Sequence, residues 1–299
     1  MNGELHPVSW RDDSGGGSGW RAHKAWWLLG LGFLAMYAPV YWWAAHSIWT
    51  TDEQAHGPLI LGVLVWLAWL VHRPVVQALS RPDPWLGWPL FALGLLTYLL
   101  GRVFSISILE FSSQLLVVAA ALLLLKGRSA LRLAWFPVLY LVFMVPLPGT
   151  FVDAVTGPLK QWVSVIVETV LHAAGYPIAR TGVMMSIGPY QLLVADACSG
   201  LNSMFSLTAV GTLFMYIVAR TNPWHNLLMV CAILPVAFAA NVVRVVVLVL
   251  LTFYFGDEVG QGFLHGAAGV LLMLVSIGIL FAFDFVLAKI FRTPRRNHV

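Results

Sequence analysis

Long apolar runs alternate with short polar stretches from residue 25 to residue 288. Read against their Gly, Pro and charged punctuation, they predict about eight helical spans, at 25–45, 57–72, 85–101, 107–125, 133–150, 198–219, 226–255 and 265–288. The longest connection, 151–197, is patterned differently. Lys160, Gln161, Ser164, Glu168 and His172 recur at helical spacing among Leu159, Trp162, Val163, Ile166, Val167 and Val170, as in an amphipathic helix lying along a membrane surface. Beyond it, 183–187 and 190–194 flank Gly188-Pro189 and read as a short β-hairpin that delivers the chain to Cys198. The fold class is therefore all-α polytopic membrane protein, with a single transmembrane domain at 25–290 between a flexible tail (1–24) and a basic tail (291–299).

Composition agrees: 60% of the 299 residues are apolar and 10% are charged, which leaves little chain for a soluble domain. The net charge of +4 is explained by topology and calls for no nucleic-acid partner. With the N-terminus inside, thirteen Lys and Arg fall in cytoplasmic segments and three (Arg102, Lys160 and Arg180) fall outside, with Arg244 left within a span. That asymmetry supports the orientation and an even number of spans, because one missed helix would invert every later loop. The residues before Ala25 lack the small-residue cleavage site of a signal peptide and read as a tail rich in Gly and Ser. Two cysteines exclude a disulfide scaffold, and the topology sets Cys198 and Cys231 on opposite sides of the bilayer.

Ionisable groups inside membrane spans are costly and mark functional sites. Arg244 lies in the apolar run 242–250, with Asn241 three residues before it on nearly the same helix face. Its two readings are an anion-binding group and a structural cation paired with a carboxylate such as Glu110. Cys198 enters the sixth span, where the helix macrodipole and free N–H groups favour the thiolate; taken alone, it also fits a small apolar filler. His265 begins the eighth span, where the same dipole disfavours imidazolium and keeps a base neutral. Loop counting brings Cys198, Arg244 and His265 to the outer half of the membrane, and together they form the minimum set for acyl transfer through a thioester. Asp196 beside the thiol raises its pKa unless it orients the histidine. His56 and Asn202 line or support the same region. A metal site of His56, His265 and Asp52 lacks any local ligand spacing, so neither metal nor cofactor is expected. A second reading stays open: a non-enzymatic bundle, either a transporter or an assembly factor for exopolysaccharide export, in which Arg244 binds substrate.

In order and spacing, Ala197-Cys198-Ser199-Gly200-Leu201, Ala240-Asn241-Val242-Val243-Arg244-Val245 and His265-Gly266 resemble the exosortase and archaeosortase family of membrane-embedded cysteine transpeptidases or peptidases. His56-Gly57-Pro58 and Pro146-Leu147-Pro148 resemble further family features. Asp196 departs from the pattern, in which Glu is more usual. The resemblance implies cleavage of C-terminal sorting signals: a Pro-Glu-Pro-like motif, then a transmembrane helix, then a basic tail. It implies partners that are membrane-anchored exported proteins, with a possible link to exopolysaccharide machinery, and a bacterial inner membrane with the active site facing outward. Cys198 would be the nucleophile, Arg244 the oxyanion or thiolate stabiliser, and His265 the acid and base.

Overall fold

The computed structural model describes residues 16–51, 56–147, 149–193, 200–218, 220–256 and 263–291; over 16–25, 149–151, 200–204 and 263–273 and at 153, 155, 156 and 193 it is the backbone that is described. In chain order these form α1 (Gly16–His46), α2 (Gly57–Gln77), α3 (Pro84–Phe104), α4 (Ser107–Leu125), α5 (Arg128–Leu133), α6 (Trp135–Tyr140) and α7 (Gly149–Ala173). Strands β1 (Ile178–Thr181), β2 (Met184–Ile187) and β3 (Tyr190–Leu193) follow, and then α8 (Gly200–Val218), α9 (Pro223–Phe255) and α10 (Phe263–Phe291). The chain divides into two compact units, one ending at Ala44 and holding most of α1, the other running from Ala45.

Among the described residues six helices are long and apolar enough to cross a membrane, at Trp26–Thr50, Gly57–Gln77, Pro84–Phe104, Ser107–Leu125, Pro223–Phe255 and Leu274–Phe291. Trp135–Met144 and Phe205–Val218 are shorter apolar helices, so each of the eight expected apolar segments contains a helix. The fifth is not one long span. Ala134 separates α5 from α6, α6 tightens into a 3-10 turn at Leu141–Met144, and the chain leaves the helix before Pro146. Ten helical residues rise about 15 Å, half of a hydrocarbon core.

The α3–α4 hairpin reverses the packing of a soluble protein. Gly87, Gly94 and Gly101 are buried at seven-residue intervals, while Trp85, Trp88, Leu93, Leu96, Leu99 and Val103 are exposed. The glycines face Leu124, Val117 and Glu110, also seven apart, and a Cβ on Gly101 would lie 2.7 Å from the Glu110 backbone nitrogen. Close backbone approach through small residues, with large apolar side chains turned outward, is what hydrocarbon solvent selects. Asp83 accepts a hydrogen bond from the Leu86 N–H at 3.3 Å, starting α3, and pairs with Arg128 at 2.8 Å.

The expected hairpin is a three-stranded antiparallel sheet in the order β1-β2-β3, with Ile178 opposite Ile187 and Met184 opposite Leu193. Gly182 and Gly188, at φ +64° and +56°, make its two turns. The period-two alternation of strands gathers Ile178, Met185, Ile187 and Leu192 on one buried face. The amphipathic helix is α7, which begins well before the polar stripe read from the sequence. Val163, Val167 and Leu171 are buried, whereas Trp162 and Val170 are exposed. Ser164 lies on the buried face and donates to the Lys160 carbonyl at 2.8 Å.

Candidate active site

The last three long helices carry the residues singled out for chemistry. Along α9 the buried positions are His225, Met229, Ile233, Ala237, Asn241, Arg244, Val245, Leu248, Val249 and Thr252, a single helical stripe. Gly211 admits α9 to α8: a Cβ there would stand 3.0 Å from the Ile233 side chain. Leu207, Ile233, Ala237 and Leu280 form one cluster, and Phe214, Met229 and Leu287 form another. Each step forward on α8 is thus matched by a step back on α9. Ala237 meets Leu207, and continuing that register brings Arg244 level with Gly200, the first residue of α8.

α10 runs parallel to α8, since Leu280 joins the Leu207 cluster, Leu287 joins the Phe214 cluster, and the Phe214 and Phe281 rings lie 4.4 Å apart. At 1.5 Å per residue, these pairings put the His265 backbone about 3 to 12 Å beyond the level of Gly200, at the same end of the bundle. Asp196 and Cys198 lie outside the described residues. Asn202 and His265 fall in the first turns of α8 and α10, where the backbone alone is described. The described parts therefore bring together the Arg244 level of α9 and the starts of α8 and α10.

Asn241 and Arg244 are 6% and 7% exposed. α7 and the sheet pack on the adjoining face of this stretch of α9. Val163, Val167 and Leu171 join Ile178, Met185, Ile187 and Leu192 around Val245 and Val249, with Phe238, Val242 and Val246 alongside. Tyr176 and Tyr254 share a hydrogen bond between their hydroxyls at 2.9 Å, tying the layer to the end of α9, and Glu168 of α7 pairs with Arg180 of β1 at 2.8 Å within the layer. Leu192 is buried in the same cluster, so β3 is anchored on α9 six residues before Cys198. An arginine in so apolar a wall is stabilised by partners and is strongly attractive to a developing anion.

His56 reaches α8 from another direction. It occupies the N-cap position of α2, and its ring lies 5.6 Å from that of Phe205, which in turn is 5.2 Å from Phe143. Gly57 is buried because the Trp49 indole occupies the place a Cβ would take. Burial lowers the His56 pKa below its ordinary value, so the ring is held neutral.

Two charge pairs change the sequence reading. Glu110, considered as a partner for Arg244, lies 3.6 Å from Arg102. At the opposite end of the bundle from Gly200, Asp284 of α10 joins Arg220 and the fully buried His225. Sequence reasoning counted Arg220 as a loop charge and passed over Asp284; the available signal was a lone carboxylate inside the apolar run 279–288. Among the described residues no three His, Cys, Asp or Glu side chains gather as a metal site.

No curated protein and no solved structure matches the chain. Residues 42–282 match the family described as transmembrane exosortase, a stretch that takes in His56, Asp196, Cys198, Asn202, Asn241, Arg244 and His265. Because that match spans most of the chain and every residue that the membrane topology and helix register single out, this multi-pass protein belongs to the transmembrane exosortase family.

Proposed function

We propose that this exosortase is a cysteine endopeptidase or transpeptidase that removes C-terminal sorting signals from exported proteins at the outer face of a bacterial inner membrane. Its substrates would carry a Pro-Glu-Pro-like motif, a transmembrane helix and a basic tail. The observation that carries this reading is the register of α8 and α9, which sets the buried Arg244 level with Gly200, two residues after Cys198.

In the proposed reaction His265 takes the Cys198 proton as the sulfur attacks the scissile carbonyl carbon. A C–S bond forms, and the carbonyl oxygen becomes an oxyanion facing Arg244. Collapse breaks the C–N bond, and His265 returns the proton to the leaving amine. Water or an acceptor amine then attacks the thioester, breaks the C–S bond and regenerates the thiol. Asn241 supports Arg244 from the same buried stripe, and Asp196 and Asn202 flank the nucleophile in sequence. The site needs neither metal nor cofactor, because the nucleophile, the proton carrier and the cation are side chains.

The test is processing of a co-expressed substrate with such a tail. Cys198→Ala is expected to insert normally and to abolish cleavage, and mass spectrometry of the product identifies the new C-terminus. Undiminished cleavage by that variant would remove the nucleophile assignment.

A further inference from the structure

His56 is tilted against Phe205, five residues into α8, which places its ring about 8 Å along the helix axis from Gly200. Its Nδ1 is buried and, among the described residues, has no hydrogen-bond partner. A sealed ring nitrogen without a partner costs less as a lone pair than as an N–H, because orphaned buried donors are rarer and dearer than under-used acceptors. The neutral ring therefore carries its proton on Nε2. The surroundings hold that orientation: Phe205 packs on the ring, and the Trp49 indole lies over Gly57, so the backbone at the base of the side chain is fixed. The result is a neutral donor, fixed in tautomer, near the start of the helix that follows Cys198. Its chemistry suits a carbonyl oxygen, which accepts one hydrogen bond without requiring a counter-charge.

We propose that His56 is a substrate-contacting residue whose Nε2–H donates a hydrogen bond to a backbone carbonyl of the peptide bound at the Gly200 end of α8. This rests on the acyl-transfer reading for the identity of the peptide, but it is separate from the bond-breaking steps. His56 takes no proton from Cys198 and does not replace His265.

The test uses the full-length protein in detergent and a synthetic peptide carrying Pro-Glu-Pro and the first turns of a following apolar helix. His56→Gln restores an N–H near the Nε2 position; His56→Asn places its amide near Nδ1; His56→Phe keeps the ring against Phe205 and removes the donor. Processing should fall by roughly 10-fold in kcat/KM in the Phe and Asn variants, as for loss of one neutral hydrogen bond to a backbone carbonyl, and by much less in the Gln variant. The rate of Cys198 alkylation by a small thiol reagent should stay at the wild-type value in all three. Gln as impaired as Phe, or Phe as active as wild type, overturns the donor role. Loss of Cys198 alkylation in the Phe variant overturns it as well, since His56 would then act on the nucleophile. Peptide affinity measured on the Cys198→Ala background keeps the question separate from the chemistry. If Cys198→Ala still cleaves, the thioester reading fails, while weaker peptide binding on adding His56→Phe still supports the contact and unchanged binding overturns it.

Discussion

Arg220 and Asp284 meet through two hydrogen bonds, from Nε to Oδ1 at 3.2 Å and from Nη2 to Oδ2 at 2.6 Å, joining the segment between α8 and α9 to α10. His225, the third residue of α9, reaches the same Oδ1 at 2.8 Å, and Asn226 donates to the Arg220 carbonyl at 3.1 Å. One carboxylate therefore ties all three helices together at the end away from Gly200. Asp284→Ala leaves a cation and a buried imidazole without it, and about 3 kcal/mol of stability should be lost. Thermal unfolding in detergent would measure this. Adding Arg220→Met and His225→Leu to Asp284→Ala should recover most of the loss, because a fully apolar replacement removes the stranded polar groups too.

The α3–α4 hairpin makes a second prediction, on backbone spacing. A Cβ at Gly101 would lie 2.7 Å from the Glu110 nitrogen and 2.9 Å from its Cγ. A flexible side chain can move aside, whereas backbone within a packed helix cannot. Gly101→Ala should therefore separate the helix ends and weaken the Arg102–Glu110 pair, lowering stability by about 1 to 3 kcal/mol. Ala at Gly62, which has open space around its Cβ position, is the control and should be nearly silent.

The spans were legible in the sequence because hydrocarbon demands long apolar runs, and α2, α3, α4 and α9 lie where those runs lie. The fifth was misjudged because hydropathy averages over 133–150 without registering where a helix stops. Pro146 and Pro148 were the stop signals. β1 was missed because four residues give too little alternation to recognise alone, although Gly182 marks its turn. The Arg220–Asp284 pair could not be read, since it joins positions 64 residues apart and depends on how α8 and α10 align. In the candidate site, residue types and order were legible; of their placement, the described residues show the starts of α8 and α10 and the Arg244 level of α9 at one end of the bundle. The level of Arg244 relative to Gly200 required the contacts of Leu207, Gly211 and Ile233.

A pH prediction follows from His56. Its folded pKa is lowered by burial, so between that value and the ordinary value of 6.5 the unfolded chain binds a proton that the folded chain does not. This contribution to stability is whole above pH 6.5, declines as pH falls through the window, and is gone below the folded pKa. Melting temperature in detergent should drop on acidification from pH 7 to pH 5. His56→Phe should flatten the drop relative to wild type, because the other histidines contribute equally to both proteins.

Arg244 permits the sharpest separation of roles. If its guanidinium faces an oxyanion that exists only after attack, removing it should slow processing while leaving the resting thiol nearly as reactive as before. Arg244→Gln is expected to lower kcat/KM by about 100- to 1,000-fold, the usual cost of an oxyanion donor in a buried site. Arg244→Lys keeps the charge but loses the planar fork, so its activity should fall between the two. Alkylation of Cys198 by a small thiol reagent should proceed at close to the wild-type rate in both variants. A parallel fall in alkylation and processing would instead assign Arg244 to the thiolate. Melting curves complete the test, since Arg244 is 7% exposed beside Val245 and its replacement also alters packing. An activity loss in a variant that melts with the wild type is chemical, whereas one that tracks lost stability is structural.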